Sequence, residues 1–151
     1  MVLNQQYIIR RMTDQDLDQI MRIEHESFAI PWSRESYQSE LRNHFATYLV
    51  CDVEGEVVGY GGIWVVFEEA HITNIAIAES FRSKGLGRAL MQALEDVAHK
   101  KRALRVVLEV RPSNLIARNL YESLGYVITG ERKHYYVDDG EDALIMTKFL
   151  F

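Results

Sequence analysis

The chain has 151 residues, 48% of them hydrophobic and 26% charged, with 17 Lys and Arg against 22 Asp and Glu for a net charge of −5. That is one domain's length, too apolar for a disordered chain, and the negative balance disfavours a phosphate-backbone partner, so no nucleic acid is expected. The lone cysteine, Cys51, excludes an intrachain disulfide, a cysteine zinc cluster and a CxxC redox pair.

Residues 7–10 read as a short strand, and Thr13-x-x-Asp16 as a capping box opening a helix with Leu17, Ile20, Met21 and Glu24 at helical spacing. Ala29-Ile30-Pro31-Trp32 interrupts that helix, and Ser33 is placed to cap a second, short one with Tyr37 and Leu41 on one face. From Thr47 the pattern becomes β-rich. Residues 48–53, 57–67 and 70–78 are joined by connections of two or three residues, which force an antiparallel meander. Residues 85–102 then form a long helical stretch with Leu86, Leu90, Leu94 and Val97 on one face, residues 105–110 a β-branched strand, and residues 114–124 a helix stopped by Gly125. This strand–helix–strand–helix succession implies parallel pairing across the crossover. Residues 126–131 and 143–149 close the chain as a last pair of strands around an acidic turn, 138–142, expected to be a solvated hairpin tip. The sum is a single α/β domain over 1–151: a mixed central sheet with an antiparallel N-terminal meander, a βαβα unit and helices on both faces.

The longest run free of charge, residues 57–67, falls short of the roughly 20 residues needed to cross a bilayer. Residues 1–6 lack the apolar stretch of a signal peptide, so a cytoplasmic protein with no membrane partner is expected.

The richest local signal is Arg82-Ser83-Lys84-Gly85-Leu86-Gly87-Arg88, between a strand and a long helix. Two glycines let the backbone turn tightly and gather amide N–H groups at the positive end of a helix, which makes an anion site. Arg82, Lys84 and Arg88 add formal charge, suiting a diphosphate better than one carboxylate. The string is not a P-loop, which needs a Gly-Lys-Ser or Gly-Lys-Thr ending. As a dinucleotide fingerprint it is partial: Leu90 stands where a small residue is needed, Glu109 lies about 20 residues on, and a three-stranded meander precedes the loop.

Arg82-x-x-Gly85-x-Gly87 after a strand resembles the acetyl-coenzyme A loop of the GNAT acetyltransferases. The resemblance extends through Leu108-Glu109-Val110-Arg111-Pro112-Ser113-Asn114, Ala117 and Leu120-Tyr121-Glu122-Ser123-Leu124-Gly125-Tyr126. With Ala29-Ile30-Pro31-Trp32-Ser33, Tyr135-Tyr136 and Glu141-Asp142-Ala143 it is similar to the bacterial ribosomal-protein-alanine N-acetyltransferase branch of that family. The resemblance implies acetyl-CoA as co-substrate and direct transfer to the N-terminal α-amino group of a protein, such as the alanine of a small-subunit ribosomal protein. It implies that Ile75, Ala76 and Ile77 bind the pantetheine arm and acetyl carbonyl through backbone groups, that residues 83–88 hold the pyrophosphate, and that Asn114 touches the cofactor. Glu109 would then be the general base and Tyr121 the general acid, with Pro31, Trp32, Tyr135 and Tyr136 lining a peptide groove.

The residues carry part of this on their own. Glu109 shares a strand face with Val107 and opposes Val106, Leu108 and Val110; a carboxylate there is either a structural partner for an arginine or a base whose pKa is expected to be raised by burial. Tyr121 lies two turns beyond Asn114 on the same helix face, as core filler or as a proton donor to a leaving thiolate. Deprotonating an α-amine of pKa ~8 at pH 7 costs about 1.4 kcal/mol, and a lysine of ~10.4 about 4.6 kcal/mol. A chain terminus is the easier nucleophile, while lysine side chains, a small amine, or a non-catalytic acyl-CoA sensor remain open alternatives. His25, His44, His71, His99 and His134 form no ligand pair, so no metal is expected.

Overall fold

The computed structural model describes residues 5–151. Its strands are β1 (Tyr7–Arg11), β2 (Ala46–Val53), β3 (Glu56–Val66), β4 (Glu69–Ile77), β5 (Arg105–Val110), β6 (Val127–Arg132) and β7 (Ala143–Phe149). The helices are α1 (Leu17–Ser27), α2 (Arg34–Glu40), α3 (Leu86–Lys100) and α4 (Leu115–Ser123). All seven strands join one sheet in the order β1-β2-β3-β4-β5-β7-β6. β1 to β4 run antiparallel, β4 and β5 are parallel, and β7 is antiparallel to both of its neighbours.

The expected last pair of strands forms, but β7 rather than β6 takes the place beside β5. Ala143 and Met146 of β7 are buried, whereas Val127 and Ile128 of β6 are exposed, so the more apolar strand occupies the interior position. Leu90, Met91, Leu94 and Ala98 of α3 pack with Val106 and Leu108 on one face. Leu17, Ile20 and Ile23 of α1 pack with Tyr37, Tyr48 and Tyr60 on the other. Helices therefore cover both faces, as the periodicity required.

Local chemistry explains the helix starts. The Thr13 N–H donates to the Asp16 carboxylate at 2.8 Å, while the Arg10 guanidinium grips the same group at 2.9 Å through each of two nitrogens. A short 3-10 turn over Asp14–Asp16 intervenes, so α1 starts at Leu17. Ser33 caps α2 as its position predicts, its Oγ accepting the Ser36 N–H at 3.1 Å.

Two features of β4 shape everything downstream. The β3–β4 register shifts between Gly62, opposite Asn74, and Ile63, opposite Ile72, leaving Thr73 as an extra, bulged residue. Gly62 is required there, because a Cβ would stand 2.2 Å from the Tyr48 ring and 2.7 Å from Thr73 Oγ1. Pairing of β4 with β5 covers only Glu69 to His71 opposite Arg105 to Val107. Beyond it the two strands separate and leave a wedge open between them. Among the described residues no helix is long and apolar enough to cross a membrane.

Candidate active site

A cavity of about 680 Å³ occupies the wedge. Ile72, Thr73, Asn74 and Ile75 of β4 form one wall, Leu108, Glu109 and Val110 of β5 the other, and Asn114, Ala117 and Tyr121 of α4 the back. Trp32 closes one side from the α1–α2 loop, and Tyr135 and Tyr136 the opposite side from the β6–β7 loop.

Glu109 faces this space as strand alternation predicts, away from buried Val106, Leu108 and Val110. Its carboxylate meets His71 Nε2 at 2.8 and 2.9 Å and accepts a long contact, 3.4 Å, from the Tyr135 hydroxyl. Burial pushes the carboxyl pKa up, but the His71 hydrogen bond and charge, the nearby Arg132 charge and the Tyr135 hydroxyl outweigh it, and Glu109 is held below the ordinary carboxylate range. The raised pKa expected from burial alone is thereby overturned. The partner responsible is His71, which in the sequence is one of five histidines without a metal-ligand mate. Its proximity depends on the parallel register that sets His71 beside Val107, one alternation from Glu109, and no local pattern encodes that register.

Tyr121 is buried, with a pKa pushed up to about 12 by desolvation. It lines the cavity, and its hydroxyl has no hydrogen-bond partner among the described residues. A core tyrosine ordinarily finds one. The free hydroxyl therefore fits a partner that arrives with substrate.

The glycine-basic loop has the geometry of an anion cradle. Gly85 sits at φ +84° and Ser83 at φ +64°, turning the chain sharply into α3. Among the described residues no side chain caps α3, and no acidic residue stands in its first turn, so its first N–H groups have no side-chain acceptor there. A Cβ on Gly87 would meet only Leu120, at an ordinary 3.5 Å, so internal packing does not demand glycine there, and the open backbone fits close approach of a diphosphate. These features fit the pyrophosphate of coenzyme A.

The basic side chains divide their work. Arg82 donates to the Ile77 carbonyl at 2.9 Å and to Ser27 Oγ at 3.3 Å, bracing the loop, and Arg88 donates to Ser123 Oγ at 2.7 Å, tying α3 to α4. Lys84 makes no such bond among the described residues. Leu86 is core, Ala76 is buried against α1, and neither Ala76 nor Ile77 lines the cavity, so these residues have only backbone to offer. Ile75 and Asn114 do line it, although the Asn114 carboxamide oxygen also caps α4 by accepting the Ala117 N–H at 3.2 Å. Pro31 lies on the acceptor-side loop without lining the cavity, unlike Trp32, Tyr135 and Tyr136.

The acidic turn 138–142 is not a free hairpin tip. Arg111 grips Asp138 at 2.8 and 2.9 Å and both Asp139 and Glu141 at 3.1 Å, and its guanidinium lies 3.9 Å over the Tyr136 ring. Glu141 also takes the Ser113 N–H at 3.1 Å. The β6–β7 loop is strapped over the cavity by the segment that follows β5.

A wedge between parallel strands, a glycine-rich helix start with no side-chain cap among the described residues, and a carboxylate and a phenol lining one cavity fit an acyl-CoA-dependent transferase site. The chain belongs to the Acetyltransferase (GNAT) family, which matches residues 17–126, and it is an acetyl-CoA-dependent N-acetyltransferase. It is 45% identical over 139 residues, 91% of this chain and 92% of the other, to the putative [ribosomal protein bS18]-alanine N-acetyltransferase of Bacillus subtilis. The crystal structure of the ribosomal-protein-S18-alanine N-acetyltransferase from Escherichia coli superposes with a TM-score of 0.87 at 34% identity, covering 95% of this chain and 94% of that one. Ard1 from Thermoplasma volcanium superposes with a TM-score of 0.88 at 30% identity, covering 96% and 98%.

Proposed function

We propose that this chain, working as one domain over residues 1–151, acetylates the N-terminal α-amino group of a protein, with the N-terminal alanine of a bS18-type ribosomal protein as acceptor and the cytoplasm as the place of work. The observation that carries the reading is one cavity bearing an ionised carboxylate, Glu109, and a partnerless phenol, Tyr121, at the point where β4 and β5 part. The names of the B. subtilis and E. coli relatives support the acceptor.

In this reading the first N–H groups of α3 and Lys84 hold the pyrophosphate, while Arg82 and Arg88 keep the loop in shape. The free edge of β4 near Ile75 offers backbone groups to the pantetheine arm, and Asn114 borders it. The acceptor lies between Trp32 and Tyr135-Tyr136. Glu109, oriented by His71, draws the ammonium in and removes its proton, directly or through water. The neutral nitrogen attacks the acetyl carbonyl carbon, the carbon–sulfur bond breaks, and the Tyr121 hydroxyl donates to the sulfur as negative charge develops on it. At pH 7 an α-amine costs ~1.4 kcal/mol to deprotonate and a lysine ~4.6 kcal/mol, which favours a chain terminus as acceptor.

The test is intact-mass spectrometry after incubation with acetyl-CoA and a panel of free N-terminal alanine peptides, N-terminally blocked lysine peptides and spermidine, with fragmentation to locate the added group. Acetyl on the free terminus alone is expected. Acetyl on lysine or spermidine alone overturns the acceptor, and binding of acetyl-CoA without transfer to any acceptor replaces the enzyme by a sensor.

A further inference from the structure

Beneath the acceptor side of the cavity lies a polar cluster that the chemistry above does not use. Glu24, on α1, is 2% exposed among the apolar residues Leu17, Ile20 and Ile23 of the same helix face. Among the described residues its carboxylate has no cationic partner. It accepts instead from three neutral donors: the Trp32 N–H at 2.8 Å, the Tyr37 hydroxyl at 2.6 Å and the Tyr60 hydroxyl. The Tyr37 oxygen accepts in turn from Asn74 Nδ2. Trp32 and Asn74 line the cavity from different elements, the α1–α2 loop and the bulge of β4, and they are joined through this one buried group.

A carboxylate is an unfavourable residue for a core unless its acceptor capacity is used. Leucine would satisfy the helix periodicity and fill the space. What leucine would not do is fix the Trp32 backbone and, through Tyr37, the Asn74 side chain. We propose that Glu24 is a positioning residue that sets the separation of the Trp32 loop from β4 and so governs engagement of the acceptor, acting through Trp32 and Asn74 without touching the reacting atoms. The inference rests on the assignment of this cavity to the acceptor.

Two measurements test it. In Glu24→Gln one acceptor oxygen becomes an NH2 facing donors, so at least one arm is lost. The KM for the acceptor peptide is expected to rise about tenfold, with the KM for acetyl-CoA within about twofold and kcat within about threefold. Tyr37→Phe, which severs the Asn74 arm at nearly constant volume, is expected to shift acceptor KM the same way and serves where Glu24→Gln folds poorly. Ile20→Val, a packing change in the same core that meets no cavity, is expected to lower stability without moving acceptor KM. Hydrogen exchange of residues 28–33, read without any acceptor, is expected to quicken in Glu24→Gln by about tenfold. Equal exchange in that segment, or variants whose losses fall on kcat and stability alone, overturns the proposal. A wild-type enzyme that ignores every N-terminal peptide, together with the expected exchange difference between it and Glu24→Gln, overturns the acceptor reading instead.

Discussion

Glu109 and Tyr121 line one cavity with their protons in opposite places, an ionised carboxylate and an intact phenol. Glu109→Gln keeps shape and removes the base, so kcat is expected to fall about 100- to 10,000-fold with acetyl-CoA affinity retained, measured by steady-state kinetics beside calorimetric titration. A merely structural Glu109 would lose stability and keep turnover. His71 sharpens the case. It supplies the leading opposition to burial in setting the Glu109 pKa, so His71→Phe leaves the upward push of burial and takes away the downward one. The acid limb of the kcat/KM profile is then expected to move to higher pH, and superimposable limbs for the two enzymes would remove His71 from the mechanism. Tyr121→Phe deletes a hydroxyl that holds nothing in the resting protein. Its melting temperature is expected to stay within about 2 °C of wild type while kcat drops about 100-fold. An equal drop in both would make Tyr121 a packing residue.

At the scale of elements, the caps and strands legible in the sequence are those whose signals are local. Ser33 caps α2, Gly85 takes the left-handed φ that opens α3, and the strands Arg105–Val110 and Ala143–Phe149 begin and end at the residues read for them. The acidic turn was misread because its partner, Arg111, lies 27 to 30 residues earlier and reaches it only through the insertion of β7 beside β5. That contact makes a prediction. Arg111→Met removes the common partner of three carboxylates, Asp138, Asp139 and Glu141, and releases the strap, so limited proteolysis is expected to open residues 133–142 and acceptor KM to rise several-fold, with acetyl-CoA binding kept. Protection identical to wild type would show that the loop holds itself. The bulge in β4 is likewise invisible locally, since it follows from Gly62 admitting the Tyr48 ring and Thr73. Gly62→Ala is expected to destabilise by about 1–3 kcal/mol through overpacking, seen as a lower urea midpoint at unchanged slope.

For the whole molecule, periodicity conveyed the mixed sheet and the two helical layers, because burial of one face imposes a repeat on each element. It did not convey which strands part company, since the wedge arises from a short β4–β5 pairing rather than from any residue type. Nor did it convey how much polar chemistry the core holds. Tyr37, Tyr48, Tyr60, Tyr121 and Tyr126, five of the eight tyrosines, are buried, and burial raises every one of their pKa values. In Tyr37, Tyr60 and Tyr126 a neighbouring carboxylate, Glu24 or Glu95, adds to the shift. The unfolded chain releases these protons near pH ~10, whereas the folded chain keeps them. Their contribution is therefore complete below about pH 10 and is lost as pH rises beyond it, because the unfolded state alone gains the stability of ionisation. Asp16 and Glu109 act at the other end: both are held below the ordinary carboxylate range, so what they contribute is present above about pH 4 and is lost as the solution is acidified further. A stability plateau bounded by the two limbs is expected in urea midpoints taken across pH. The alkaline limb has its own signature, tyrosinate absorbance. The buried set should ionise together in one steep step that coincides with loss of helical circular dichroism. Smooth titration of all eight ahead of unfolding would mean that the phenols, and with them the Glu24 cluster, are open to solvent in the native protein.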